Sequence, residues 1–164
     1  MESLSLDNQS MNRWRDELEL PFTGIRQAKS RLRQFNARYE RLNEEARLLI
    51  DEVSGVFKGK TSPIYLHRSA NTAAKNMKWR LSAAKIYGFS SAAKSYSLLT
   101  VEVLNVLRSA DIDEETIVKI VEYDFKRINL NYALSFYYAE KNRLQAFVDE
   151  FEAWRKLPGL VKSI

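Results

Sequence analysis

Cysteine is missing from all 164 residues, histidine occurs once, and there are only three prolines and five glycines. Without cysteine there is no disulfide framework, no thiolate nucleophile and no cysteine-ligated zinc or iron–sulfur centre. A single imidazole, His67, excludes a multi-histidine metal site. So few turn residues argue against a β-sandwich, a glycine-rich phosphate loop and a low-complexity disordered chain. No run approaches the roughly 20 consecutive apolar residues of a membrane-spanning helix. Residues 1–10 are polar and slightly acidic, unlike the basic head and apolar middle of a signal peptide. These absences predict a cytoplasmic, non-catalytic protein with no cofactor, no metal and no membrane contact. What is present, 45% hydrophobic and 29% charged residues, suits a single domain over 1–164 with a real core.

Periodicity predicts a mainly α fold with a minor β component: two long antiparallel helices, shorter helices and a small β-hairpin. Residues 1–20 form a polar lead-in, which Pro21 breaks by fixing φ and removing a backbone donor. Thr23 then stands where an N-cap hydroxyl belongs. Ile25, Ala28, Leu32, Phe35, Tyr39, Leu42, Ala46, Leu49, Val53 and Val56 alternate steps of three and four. That heptad stripe predicts one helix over 23–57, about 45–50 Å long, with Gly55 and Gly59 at its end. Such a stripe needs an equally long partner. A second helix over 113–157 supplies it, with Ile117, Val121, Phe125, Ile128, Tyr132, Phe136, Ala139, Phe147 and Phe151 on one slowly drifting face. Aromatics at helical spacing are read as core.

Between the helices the pattern changes. Residues 58–88 form a basic hairpin region, because Met77-Lys78-Trp79-Arg80-Leu81 alternates apolar with basic, facing Met77, Trp79 and Leu81 inward. A helix through 73–87, favoured by its alanines, is the competing reading. Short helices are expected over 90–110, with Tyr96, Leu99, Val103 and Val106 at helical spacing, and a strand through the β-branched run Val101 to Leu107 is the competing reading. Asp111 and Asp113 offer caps, with Glu114 completing a capping box on Asp111.

The charge is distributed unevenly. No acidic residue lies between Glu52 and Glu102, a stretch holding Lys58, Lys60, Arg68, Lys75, Lys78, Arg80, Lys85 and Lys94. Those eight cations exceed the net charge of +5, so the rest of the chain is net acidic. A second acid-free run, 20–39, contains Arg26, Lys29, Arg31, Arg33 and Arg38. A polyanion drawn to such a surface releases its counterions. The middle segment also interleaves Tyr65, Trp79, Tyr87 and Phe89 with Asn71, Thr72 and Asn76, the mixture of rings, amides and cations used on nucleic acid. The predicted nucleic-acid-binding residues are Lys58, Lys60, Arg68, Lys75, Lys78, Arg80 and Lys85, helped by Arg26, Arg31 and Arg33.

Other candidate chemistry has simpler explanations. His67 stands beside Arg68 with no acid nearby in sequence to orient it as a base, and reads as a structural or phosphate-contacting side chain. Asp111, Asp113, Glu114 and Glu115 lack the spacing and glycine of a calcium loop, and read as helix caps. On the second helix, Glu122 with Lys126 and Asp124 with Arg127 form favourable pairs, while Asn131 is placed nearer the core, in a buried network or setting register.

Pro21-Phe22-Thr23-Gly24 before a long helix, Lys78-Trp79-Arg80, and Arg127-Ile128-Asn129-Leu130-Asn131 shortly after Glu122 together resemble an uncharacterised family of small proteins encoded on integrating conjugative elements and plasmids. The resemblance implies a mobile-element setting, with roles in DNA transfer, maintenance or countering host systems, and brings no catalytic residues. The expected function is a non-catalytic nucleic-acid-binding accessory protein, with DNA preferred to RNA as the ligand. The alternative is a helical interaction module, an inhibitor or a homodimer, docking an acidic protein.

Overall fold

A computed structural model describes residues 17–58, 62–69, 76–82, 95–96 and 99–157 of the chain. In order, these form α1 (Ile25–Gly55), β1 (Ile64–Arg68), β2 (Met77–Leu81), β3 (Ser95–Tyr96), α2 (Val101–Ser109) and α3 (Glu114–Arg155). The protein is mainly helical, with a small antiparallel sheet of order β1-β2-β3.

The heptad stripe of α1 is its buried face. Ala28, Leu32, Tyr39, Leu42, Ala46, Leu49 and Val53 are all buried, and Ile25, Phe35 and Val56 partly so. The helix starts one residue later than a Thr23 cap requires. Gly24 C=O accepts the first helical bond, from Ala28 N–H at 3.0 Å, so Gly24 is the N-cap, and Thr23 N–H donates to the Gln27 side chain.

At the far end of the sheet region, α2 is capped by Thr100, whose hydroxyl accepts from Val103 N–H at 3.3 Å. It stops in a Schellman turn. Asp111 takes the left-handed position (φ 54°), its N–H donates to Arg108 C=O, and Ile112 N–H donates to Leu107 C=O. The predicted Asp111–Glu114 box does not form, because Asp111 is committed to that turn and the Glu114 carboxylate accepts from Arg108 Nε at 2.9 Å. Asp113 caps α3 instead, its carboxylate accepting from Thr116 N–H (2.9 Å) and hydroxyl (3.1 Å). Those two bonds hold the Asp113 pKa below its ordinary value.

The chain divides into two compact units, and both long helices contribute to each. One comprises Met1–Ala37 with Ala139–Ile164, where Phe22, Ala28, Leu32, Leu144 and Val148 cluster and the Phe22 and Phe147 rings approach to 4.9 Å. Lys29 pairs there with Glu152. The other is Arg38–Tyr138. Within it α1 and α3 run antiparallel: Tyr39 meets Tyr138 (ring centroids 5.9 Å), and thirteen residues further along α1 Glu52 meets Lys126 (3.6 Å). Lys126 thus reaches across to α1 rather than pairing with Glu122 on its own helix. The inner face of the sheet packs into this unit's core with Leu42, Leu49, Leu107, Ile120 and Leu134.

Two expectations are corrected. Residues 95–96 form a strand instead of continuing a helix, because β2 has a second edge to satisfy and Tyr96 pairs with Trp79. The inward face of α3 is also different in the Arg38–Tyr138 unit. Ile117, Ile120, Asp124, Arg127, Leu130 and Leu134 are buried, whereas Val121, Phe125, Ile128, Tyr132 and Phe136 are exposed. Both sets have helical spacing. The polar Asp124 and Arg127 make the buried set look like the wet one until their partners are known. No helix among the described residues is long and apolar enough to cross a membrane.

Candidate nucleic-acid interface

Alternation at period two forces the two faces of the hairpin apart. Met77, Trp79 and Leu81 of β2 point inward with Ile64 and Leu66 of β1, all buried, and Trp79 and Met77 are 0% exposed. The strand through Met77–Leu81 excludes the helical alternative there. The outward positions are Tyr65, His67, Lys78 and Arg80. The β1–β2 register sets Tyr65 opposite Arg80 and His67 opposite Lys78, so the four form two adjacent cross-strand pairs. None is acidic. Ser82 N–H donates to Pro63 C=O at 2.8 Å and closes the open end of the pair of strands.

Behind this ribbon, three residues of α3 hold β2 in place. Asp124 Oδ1 accepts from the Trp79 indole N–H at 2.7 Å and from Arg127 Nε at 2.7 Å. Arg127 is 3% exposed, and its Nη1 donates to Met77 C=O at 3.3 Å. Asn131 makes a two-bond match to the same residue: its Oδ1 accepts from Met77 N–H at 2.8 Å and its Nδ2 donates to Met77 C=O at 2.9 Å. A carboxamide thereby supplies the donor and acceptor that a neighbouring strand would offer. One turn on, Ser135 Oγ donates to Asn76 Oδ1 at 3.3 Å. Asp124, Arg127, Asn131 and Ser135 follow one another at helical spacing along a single edge of α3. The Lys78-Trp79-Arg80 and Arg127–Asn131 motifs therefore meet, the helix motif holding the strand motif from its dry side.

No family model, no curated protein and no solved structure matches this chain.

The predicted cations are placed unequally. Lys78 and Arg80 share the outer ribbon face. Arg68, at the end of β1, turns to the other side, where it is half-buried and donates to Asn43 of α1. Burial pulls its pKa below the ordinary guanidinium value, against the opposing pull of Tyr39 and Glu40. It belongs to the seam between β1 and α1 and not to the outer face. Lys58 follows the end of α1 in a left-handed conformation (φ 49°), and its charge helps to lower the pKa of Asp113 and Glu115. That cation is near enough to the start of α3 for its charge to be felt by these carboxylates. Arg26 and Arg33 are exposed on α1 one heptad apart, on the same face, whereas Arg31 lies on a different side and is half-buried. They belong to the Met1–Ala37 unit, while the ribbon is in the other. Lys60, Lys75 and Lys85 lie outside the described residues.

Sequence reasoning identified Asp124–Arg127 as a favourable pair within the helix. Its coupling to Trp79 was missed. The available signal was an acid and a base set three apart in an apolar helix, in a chain whose central tryptophan needs an indole acceptor. Among the described residues no group of three or more histidine or carboxylate side chains could hold a metal ion.

Proposed function

We propose that the outer face of the β1–β2 ribbon docks on nucleic acid, and that the protein is a non-catalytic DNA-binding accessory. The observation that carries this reading is the pair of outward cross-strand couples, Tyr65 with Arg80 and His67 with Lys78, none of the four acidic, on strands fixed from behind by α3. β2 is the middle strand of the sheet, so Lys78 and Arg80 lie at the centre of its outer face rather than at an edge. Lys78 and Arg80 bind phosphates, His67 donates a hydrogen bond beside them, and Tyr65 offers a ring on which a base can stack. The mobile-element setting implied by the family resemblance gives such an accessory a role in DNA transfer or maintenance.

Fluorescence anisotropy of labelled duplex and single-stranded DNA, titrated from low to moderate salt, tests the proposal. Each phosphate neutralised adds about 0.9 to the slope of log K against log salt on duplex DNA. Lys78→Ala/Arg80→Ala should weaken binding uniformly across sequences and flatten that slope by about 2. Lys58→Ala should leave it unchanged, since that residue follows the end of α1 and is not part of the ribbon face. Tyr65→Ala should weaken single-strand binding by about 1–3 kcal/mol. An unchanged affinity and slope in the Lys78/Arg80 variant refutes the reading.

A further inference from the structure

The surface of α3 that faces away from the core carries a continuous apolar stripe. Val118, Val121, Phe125, Ile128, Tyr132 and Phe136 succeed one another at steps of three and four, and every one is between 42% (Ile128) and 76% (Tyr132) exposed. A free aromatic side chain presents about 150–250 Å², so these six leave on the order of 600 Å² of side chain in water. The largest apolar patch on a typical monomer is about 300–600 Å² and is often functional. Nothing in the ribbon reading uses this surface.

We infer that the stripe is the interface of a homodimer in which α3 pairs antiparallel with α3 of a second copy. Three observations favour a second copy over another partner. The first is the order of side-chain sizes. When two antiparallel helices pack by heptads, a residue at one seam position meets the complementary position of its partner. Here a two-fold axis between residues 126 and 127 sets Phe125 against Ile128 and Val121 against Tyr132. Val118 then faces the turn that carries Ser135 and Phe136. Each large side chain meets a smaller one, which is the condition for interdigitated packing.

The second observation is charge. Along the edge of the stripe that runs toward α1 lie Glu115, Lys119, Glu122 and Lys126, alternating in sign, with Glu115 and Lys119 paired at 2.9 Å and Lys126 paired with Glu52 of α1 at 3.6 Å. An edge without net charge neither selects an acidic or basic partner nor repels its own copy. The third observation is area. Two such stripes cover on the order of 1,200 Å² before their flanks are counted, which reaches the lower bound of stable specific interfaces. This inference concerns the helix surface alone and stands independently of the ribbon's ligand.

Sedimentation equilibrium and light scattering on the full chain over a range of concentrations should give a mass of twice 19.1 kDa at the high end. Phe125→Asp should weaken self-association about tenfold or more while leaving the far-UV circular dichroism unchanged, because the ring is 71% exposed. Orientation is read from engineered cysteines in a chain that has none of its own. Val121→Cys mixed with Tyr132→Cys should yield a mixed disulfide-linked dimer, and neither variant alone should cross-link. A chain that stays monomeric overturns the inference and leaves the stripe to a different partner. Cross-links between identical positions, or a dimer indifferent to Phe125→Asp, also overturn it.

Discussion

Asp124→Ala removes one carboxylate oxygen that serves two buried donors, the Trp79 indole N–H and Arg127 Nε, each at 2.7 Å. Arg127 is 3% exposed, and its Nη2 has no hydrogen-bond partner among the described residues, so the guanidinium has little else to lean on. Deleting one member of a buried ion pair costs about 3–5 kcal/mol. Stranding a buried indole N–H costs about 1–3 kcal/mol more. Because both donors share one oxygen the two costs overlap, and about 4–5 kcal/mol is expected in all. At a urea slope of about 2 kcal/mol per molar the midpoint should fall by about 2 M. Urea titration followed by circular dichroism and tryptophan fluorescence measures this. The reasoning also predicts a partial rescue. Asp124→Ala/Arg127→Met removes the stranded charge and should recover about half of the loss. A single-variant cost below about 1 kcal/mol, or a double variant less stable than the single one, refutes the account of this cluster.

Asn131→Ala deletes both bonds to the Met77 backbone, and should cost about 1–3 kcal/mol and raise the hydrogen-exchange rate of the Met77 amide selectively. Leu49→Ala, at a fully buried position of the α1 stripe, should lower stability by about 2–5 kcal/mol in the same urea assay. Acid should also destabilise the fold. Glu44 is held below its ordinary pKa by Arg47, Asp113 by Thr116, Glu115 by Lys119 and Glu152 by Lys29. A carboxyl whose folded pKa is depressed stabilises the fold above its unfolded value, about 4, and that contribution disappears as the pH falls through the folded value. Thermal melts should therefore hold steady from neutral pH to about 5 and decline below about 4. Melting temperatures that rise on acidification contradict these assignments.

Much of the architecture was legible because it rests on local rules. A run of ten apolar positions at steps of three and four is the buried face of α1, and period-two alternation put Met77, Trp79 and Leu81 inside. The α3 face was misread for a physical reason. Over the Arg38–Tyr138 unit this helix has two stripes of helical spacing, and hydrophobicity alone ranks Val121, Phe125, Ile128, Tyr132 and Phe136 above a set containing an aspartate and an arginine. The polar members are buried only because the indole of Trp79 and the backbone of Met77 wait for them, and those partners lie about 50 residues away in sequence. The basic surface was legible as composition but not as geometry. Arg68 and Lys58 came from the same acid-free stretch as Lys78 and Arg80, yet strand parity and the end of α1 direct them elsewhere.

The polar grip of α3 on β2 resolves an ambiguity that greasy side chains cannot. Sliding β2 by two residues along its neighbours would keep every apolar side chain inward and every cation outward, so hydrophobic burial barely distinguishes the slid arrangement from the native one. After such a slide Asp124 would confront a methionine or a leucine instead of an indole N–H, and the Asn131 carboxamide would lose the backbone of Met77. The native pairing is thus separated from its nearest decoy by a handful of directional bonds, a gap that makes one landing place for Lys78 and Arg80 out of several nearly degenerate ones.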